Sequence, residues 1–282
     1  MHVFLNINIT LYINTCCMLL PCYDVVMSAS YLPVIAVSRC LLGDKVRYDG
    51  SHEFNEYISN YIADAFKIIP FCPECLAGMP VPRPPIRLVE KEDGAVAAIT
   101  QNKSRIDIAD SLETTARYFI QKHRSLGGII FKSKSPSCGV RTTKLFNSQG
   151  EILTYSATGL FAQTISARLP HLPIEDDACL KDKKRFLDLL IRISAYSELL
   201  NRSRQHHESQ FCPPQCYNKI INRYFHDMNI NKDIGGNNHF IMETYAAYLM
   251  PALSHALLRH ESMLEQLLPE TYNKLINLIE KL

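Results

Sequence analysis

Three cysteines carry the first chemical signal in this sequence. Cys40, Cys72 and Cys138 lie far apart along the chain, yet each follows a short apolar run. Val34-Ile35-Ala36-Val37 leads to Ser38-Arg39-Cys40. Ile68-Ile69-Pro70-Phe71 leads to Cys72-Pro73-Glu74-Cys75, and Gly128-Ile129-Ile130-Phe131 leads to Ser135-Pro136-Ser137-Cys138-Gly139. Apolar runs of this length suit strands covered on both faces. Ligands in open α/β sheets bind outside the carboxyl ends of the strands, so parallel neighbours would bring the three thiols to one crevice. The spacing is neither the compact run of a ferredoxin nor the paired C-x-x-C of a structural zinc site. Three thiolates from separate loops can hold a 4Fe-4S cluster by three irons and leave the fourth open, and soft thiolates suit iron–sulfur chemistry. Cys75, three residues after Cys72, could take the second position instead.

The elements that must position these residues can be read from periodicity. Asn55 to Phe66 has helical spacing, and the second strand occupies Lys67–Phe71. The loop that follows holds Pro73, Pro80, Pro82, Pro84 and Pro85, which implies a rigid segment without regular structure. Asp93-Gly94 between apolar runs 86–90 and 95–100 signals a hairpin. Residues 106–124 read as a helix, and 140–155 as a second hairpin turning at 147–150. A helix to about Leu169 and a short strand at Leu172-Pro173-Ile174 complete the pattern. This rhythm predicts an α/β fold: a mostly parallel, Rossmann-like sheet with helices on both faces. The expected domains are residues 31–180 for the α/β part and 181–282 for a smaller all-α region. In the latter, helices are expected at 185–200, 217–228, 240–258 and 272–282, with a polar linker over 201–210 and a turn at 235–238.

Composition narrows the function classes. The chain of 282 residues is 47% hydrophobic with a formal charge of +2, so bulk charge does not announce a nucleic-acid binder. Its ten cysteines are irregularly spaced, which suits a reducing, cytoplasmic setting more than a secretory disulfide framework. Residues 1–26 carry no Lys or Arg, and Asn6, Asn8 and Asn14 interrupt the apolar stretch. A membrane span needs about 20 predominantly apolar residues. Residues 1–30 therefore read as an extension of doubtful status, an upstream addition or misplaced start before Met27, with a cleaved targeting segment as the competing reading. Cys16, Cys17 and Cys22 receive no role, Cys179 reads as a core residue, and Cys212 and Cys216 as loop thiols. The histidines show no ligand spacing.

SRCLLGDKVRYDG, FCPECLAGMPVPRPPIRL and FKSKSPSCGV, in this order and followed by LPIEDDACL, resemble the motifs of the thiouracil desulfidase (TudS-like) family across residues 32–180. The resemblance implies a cytoplasmic enzyme with a 4Fe-4S cluster that removes sulfur from a thiolated pyrimidine by non-redox, hydrolytic desulfuration. The substrate would be free thiouracil or, as in two-domain relatives, 4-thiouridine in tRNA. It implies Cys40, Cys72 and Cys138 as cluster ligands, Glu74 as the acid/base carboxylate and Ser135 as a second catalytic group. Residues 238–258 resemble the helical partner domain of the tRNA-acting relatives, which would make tRNA a partner of the C-terminal region, although the basic, His-rich opening of that domain is not evident after Tyr196.

Blander readings stand beside these. Glu74 could cap a turn, and Ser135 and Ser137 could be turn residues. Arg47, Asp49 and Arg83 could contact substrate or form an ion-pair lattice that holds the loops. Lys132 and Lys134 could face a phosphate or only solvent. The three thiols could also hold a cluster or zinc in a non-catalytic binding module.

Overall fold

A computed structural model describes residues 32–205, 215–228 and 242–259. The expected N-terminal extension, the turn at 235–238 and the helix at 272–282 lie outside the described residues. The described chain divides into two units, residues 32–197 and the described residues from 198 onward.

The first unit is built on four parallel strands, β1 (Val34–Ser38), β2 (Lys67–Phe71), β5 (Leu126–Phe131) and β8 (Ile174–Asp176), in the order β2-β1-β5-β8. Ser38 pairs with Phe71, Val37 with Ile130, and Phe131 with Asp176. The strand order reverses direction at β1, which sends the chain to β2 on one side while β5 comes in on the other. The crevice at such a switch point is where α/β folds bind ligands. The short last strand lies at 174–176, two residues beyond its expected place.

Two hairpins merge into a second sheet, which the sequence pattern does not foretell. β3 (Ile86–Glu90) and β4 (Val96–Thr100) are antiparallel, as are β6 (Thr143–Phe146) and β7 (Ile152–Ala157). A short parallel pairing of Leu88 with Leu145 and Val89 with Phe146 joins them in the order β4-β3-β6-β7. Gly94 and Gly150 take the positive φ angles, 82° and 90°, that the two hairpin turns require.

Helix α1 (Ala109–Lys122) buries Leu112, Ala116 and Phe119, and packs beside α2 (Leu160–Arg168). Phe71 of β2 sits at the centre of their shared core. Its ring lies 5.0 Å from Phe119, 5.5 Å from Phe131 and 5.7 Å from Phe161. Rings that interlock this way add to the burial energy of each. Helix α3 (Lys183–Gln205) meets β5 where Gly127 and Gly128 have no Cβ: a Cβ on Gly128 would come within 2.4 Å of Ile193. The expected helix from Asn55 is π-helical over Ile58–Ile62 and ends with Ala63–Ala65.

The described residues of the second unit are helical, with α4 (Gln215–Asp227) packed on α5 (Met242–Arg259); Ile220, Ile221, Leu249 and Leu253 are buried. The buried Tyr217 hydroxyl donates to Glu198 at 2.8 Å. Residues 201–205, expected as part of a linker, continue α3. Among the described residues, no helix is long and apolar enough to cross a membrane.

Asp107 ties β4 to the start of α1. Its carboxylate accepts from the amides of Ala98 and Ala109 and pairs with Lys91 at 2.9 Å. Burial alone would raise its pKa, but these donors outweigh burial and hold it below the usual carboxylate range. The stability it contributes is therefore present above the unfolded pKa, about 3.9, and is lost as pH falls through the folded value. Urea unfolding of Asp107→Asn should show a flatter loss of stability between about pH 5 and pH 2 than the parent chain.

Candidate active site

The four thiols of Cys40, Cys72, Cys75 and Cys138 follow the carboxyl ends of β1, β2 and β5, three neighbouring strands. Cys40 lies in a 3-10 turn, Arg39–Leu42, closed by Gly43 at φ 94°. Cys72 is the extended residue before a single helical turn, Pro73–Leu76, which includes Cys75. This turn corrects the expectation of an irregular loop. Proline is favoured at a first helical position, where its missing N–H is not needed. Beyond the turn the loop is irregular, as expected, and contains a cis Val81–Pro82 bond.

Cys138 sits in a tight turn held from several directions. Gly139 N–H donates to Ser135 O at 2.8 Å, while Ser135 Oγ accepts from the amides of Ser137 and Cys138. The first amides of α2 are met by the same turn: Gly159, Leu160 and Ala162 donate to the carbonyls of Gly139, Pro136 and Ser137. A Cβ on Gly159 would lie 2.5 Å from the Ser137 carbonyl carbon, so this approach depends on glycine. From the far edge of the sheet, Asp176 accepts from Thr142 Oγ1 at 2.5 Å and from Val140 N–H at 3.1 Å. Asp177 accepts from Ser133 N–H and pairs with Lys132 at 3.0 Å.

Arg83 links the loops. Its side chain is 2% exposed, and its Nε donates to Glu74 Oε2 at 2.6 Å. Nη2 donates to Val46 O at 2.8 Å and Nη1 to Pro80 O at 3.3 Å, while its backbone amide donates to Tyr48 O. The same two nitrogens lie 3.9 Å from the sulfurs of Cys72 and Cys75 respectively. Burial works against the guanidinium charge, but Glu74 more than compensates and raises its pKa. The second Glu74 oxygen accepts from Ser137 Oγ at 2.9 Å, so one carboxylate joins the Cys72 turn to the Cys138 turn.

Arg47 pairs with Glu53 and reaches Asp49 at 4.0 Å. Its charge is felt at the Cys40 thiol. Asp49 is exposed at a turn and accepts from the Ser51 hydroxyl and amide, which lower its pKa. Lys134 is exposed at a φ of 62°. Sequence reasoning missed Ser38, whose hydroxyl accepts from Lys132 N–H at 3.0 Å and points to Cys138 Sγ at 3.7 Å. Its position at the end of β1 was the available signal. Cys179 is buried, with its pKa pushed up to about 12 by desolvation.

The thiols share one electrostatic environment. Burial pushes Cys40 up to about 11, with Lys132 and Arg47 opposing the shift. Burial likewise pushes Cys72 up to about 12 and Cys138 well above its ordinary value, where the charges of Cys72 and Cys40 add to the effect. Among the described residues, no three His, Cys, Asp or Glu side chains gather closely enough to hold a single metal ion. A cavity of about 550 Å³ lies elsewhere, against the second sheet, with Leu88, Val140, Arg141, Leu145 and Gln163 in its lining and none of the four thiols.

The family model described as 2-thiouracil desulfurase matches residues 35–177, the whole span from β1 to the start of the turn that follows β8. The chain belongs to the 2-thiouracil desulfurase family. YbbK of Bacillus subtilis (strain 168), described as an uncharacterized protein, is 32% identical over 114 residues, 38% of this chain and 73% of its own length. The solved structure of the 4Fe-4S-dependent thiouracil desulfidase TudS is 25% identical, with a TM-score of 0.41, and the alignment covers 53% of this chain and 93% of that one. The desulfurase match thus contains Cys40, Cys72, Glu74, Arg83, Ser135 and Cys138.

Removing one partner of a buried ion pair leaves the other charge uncompensated, at a cost of about 3–5 kcal/mol. Arg83→Met should destabilise the full chain by about that much in urea unfolding. An exposed-pair substitution such as Arg117→Met, at a site where Glu113 is 3.5 Å away and both side chains are 42% exposed, should cost far less.

Proposed function

We propose that this chain is an iron–sulfur-dependent desulfidase that replaces the sulfur of a thiolated pyrimidine with oxygen from water, the substrate being free thiouracil or 4-thiouridine in tRNA. The reading is carried by one observation: three thiols follow adjacent parallel strands at a switch point in a member of the 2-thiouracil desulfurase family. The donor set suits the cofactor. It consists of soft sulfurs, and the charges of Cys72 and Cys40 act on the Cys138 thiol. Cys40, Cys72 and Cys138 would hold a 4Fe-4S cluster, with Cys75 the other candidate for the second position. When bound, the cluster supplies an open iron that acts as a Lewis acid toward a thiocarbonyl sulfur.

The chain's own groups would manage protons and orientation. Glu74 is fixed by Arg83 and Ser137, and each carboxylate oxygen retains a lone pair beyond these bonds. It would take a proton from the water that adds to the ring carbon and pass it to the sulfur, then take the adduct's hydroxyl proton as the carbonyl forms and pass that to the departing sulfur too, so that a thiocarbonyl and water become a carbonyl and hydrogen sulfide. Ser135 Oγ already accepts two amides, which leaves its O–H hydrogen to donate to a ring heteroatom. Arg47, whose charge acts on the Cys40 thiol, and Asp49 would be candidate substrate contacts. Arg83 would act through Glu74 and the loops it holds. In this reading the protein works in the reducing cytoplasm, and any tRNA would also engage the C-terminal helices.

Anaerobically purified full chain should contain iron and acid-labile sulfide and convert thiouracil or thiolated tRNA. Glu74→Gln should retain the iron and lose about 10²–10⁴-fold in kcat. A chain that holds metal but turns over neither substrate is a binding module, and parental turnover by Glu74→Gln removes the assigned role. Filter binding against salt separates the substrates, because phosphate contacts give a steep negative slope for tRNA.

A further inference from the structure

We propose that Cys72 and Cys75 form a reversible dithiol–disulfide pair, closed by a low-molecular-weight disulfide, and that closing it withdraws Cys72 from the three-thiol set. The Pro73–Leu76 turn holds one sulfur more than that set uses. Cys72 and Cys75 stand at the two ends of a C-x-x-C turn, the first extended and the second helical. Cys75 follows Cys72 by three residues, within one helical turn. One guanidinium spans both, with Arg83 Nη2 and Nη1 each 3.9 Å from one sulfur. Because Nε of the same group is anchored on Glu74, the fork fixes both sulfurs on one side of the turn. The thiolate is the attacking species in exchange, so access of solvent base and of the small disulfide decides which thiols react. Exposure separates this pair from the rest: Cys72 and Cys75 are half-buried, whereas Cys40, Cys138 and Cys179 are buried.

The chemistry is two successive exchanges. A thiolate of the pair attacks one sulfur of the small disulfide, whose S–S bond breaks, and the departing thiolate takes up a proton. The second thiolate of the pair then attacks the mixed disulfide and releases the other small thiol. The small disulfide gains two electrons, and the pair loses two electrons and two protons. The ring so formed is reversible by excess thiol and keeps both sulfurs from the irreversible steps of the oxidation ladder. The disulfide itself does not depend on the proposed desulfidase function; its effect on cluster loading does.

Trypsin reports on the pair directly. Arg83 precedes Pro84, so one peptide, Ile68–Arg87, contains both cysteines and no others. Full chain purified anaerobically and stripped with a chelator is treated with oxidised glutathione, denatured, alkylated without reductant and digested. The expected product is an unalkylated Ile68–Arg87 peptide lighter by two hydrogens, with Cys40 and Cys138 alkylated. A doubly alkylated peptide, a persistent glutathione adduct, or cross-links from Cys72 to Cys40 or Cys138 overturns the proposal. Cys75→Ser should accumulate the glutathione adduct on Cys72, and the parent peptide map decides the matter if that variant fails to fold. Given ferrous iron and sulfide anaerobically, the oxidised chain should lose most of its iron uptake and regain it after dithiothreitol. Undiminished uptake with the disulfide intact overturns the withdrawal of Cys72, and with it that residue's place as a ligand, while leaving the redox pair standing.

Discussion

A single buried guanidinium sets the geometry of this site. Arg83 has no water to satisfy its donors, so each must find a protein acceptor or cost several times the value of an ordinary hydrogen bond. The acceptors its side chain finds belong to different stretches of chain: Glu74 from the Cys72 turn, Val46 from the loop after β1, and Pro80 from its own loop. Satisfying one side chain therefore fixes three backbone segments relative to one another. Glu74 extends the same constraint to the third thiol through Ser137. The carboxylate proposed for proton transfer is thus held by two partners, as suits a group that must be in place before a substrate arrives.

The parallel sheet supplies the coarse convergence, and the turns supply the fine placement. β1, β2 and β5 end level, and each chain then departs differently: a 3-10 turn, a helical turn and a turn packed on the start of α2. Burial makes the thiols of Cys40, Cys72 and Cys138 hard to ionise, so the cluster binding proposed for them would displace protons and become more favourable as pH rises. Lys132, Arg47 and Arg83 offset part of that penalty.

Much of this was visible in the sequence because it is local. Apolar runs ending in cysteine identified β1, β2 and β5; Asp93-Gly94 and Asn147–Gly150 marked turns whose backbone demands are specific; and Leu112, Ala116 and Phe119 marked the buried face of α1. The union of the hairpins into one sheet was not visible, since it rests on two parallel residue pairs more than fifty positions apart. The proline-rich loop concealed its helical turn because proline's preference for a first helical position resembles its preference for irregular chain. Arg83 could be nominated as either strut or substrate contact, but only its burial and its partners show the bonds that join the loops. Ser38, Asp176 and Asp177 act across the sheet, and nothing in their own neighbourhoods announces the loops they hold.

The clamp at β8 has a consequence for how the protein is made. A chain synthesised from its N-terminus exposes every cysteine of the site before residues 176 and 177 exist. Until those two carboxylates emerge from the ribosome, the Lys132–Thr142 segment lacks the bonds that tie both its ends to the edge of the sheet. Assembly of the site is therefore a late event in biosynthesis, scheduled by a three-residue strand at the margin of the sheet.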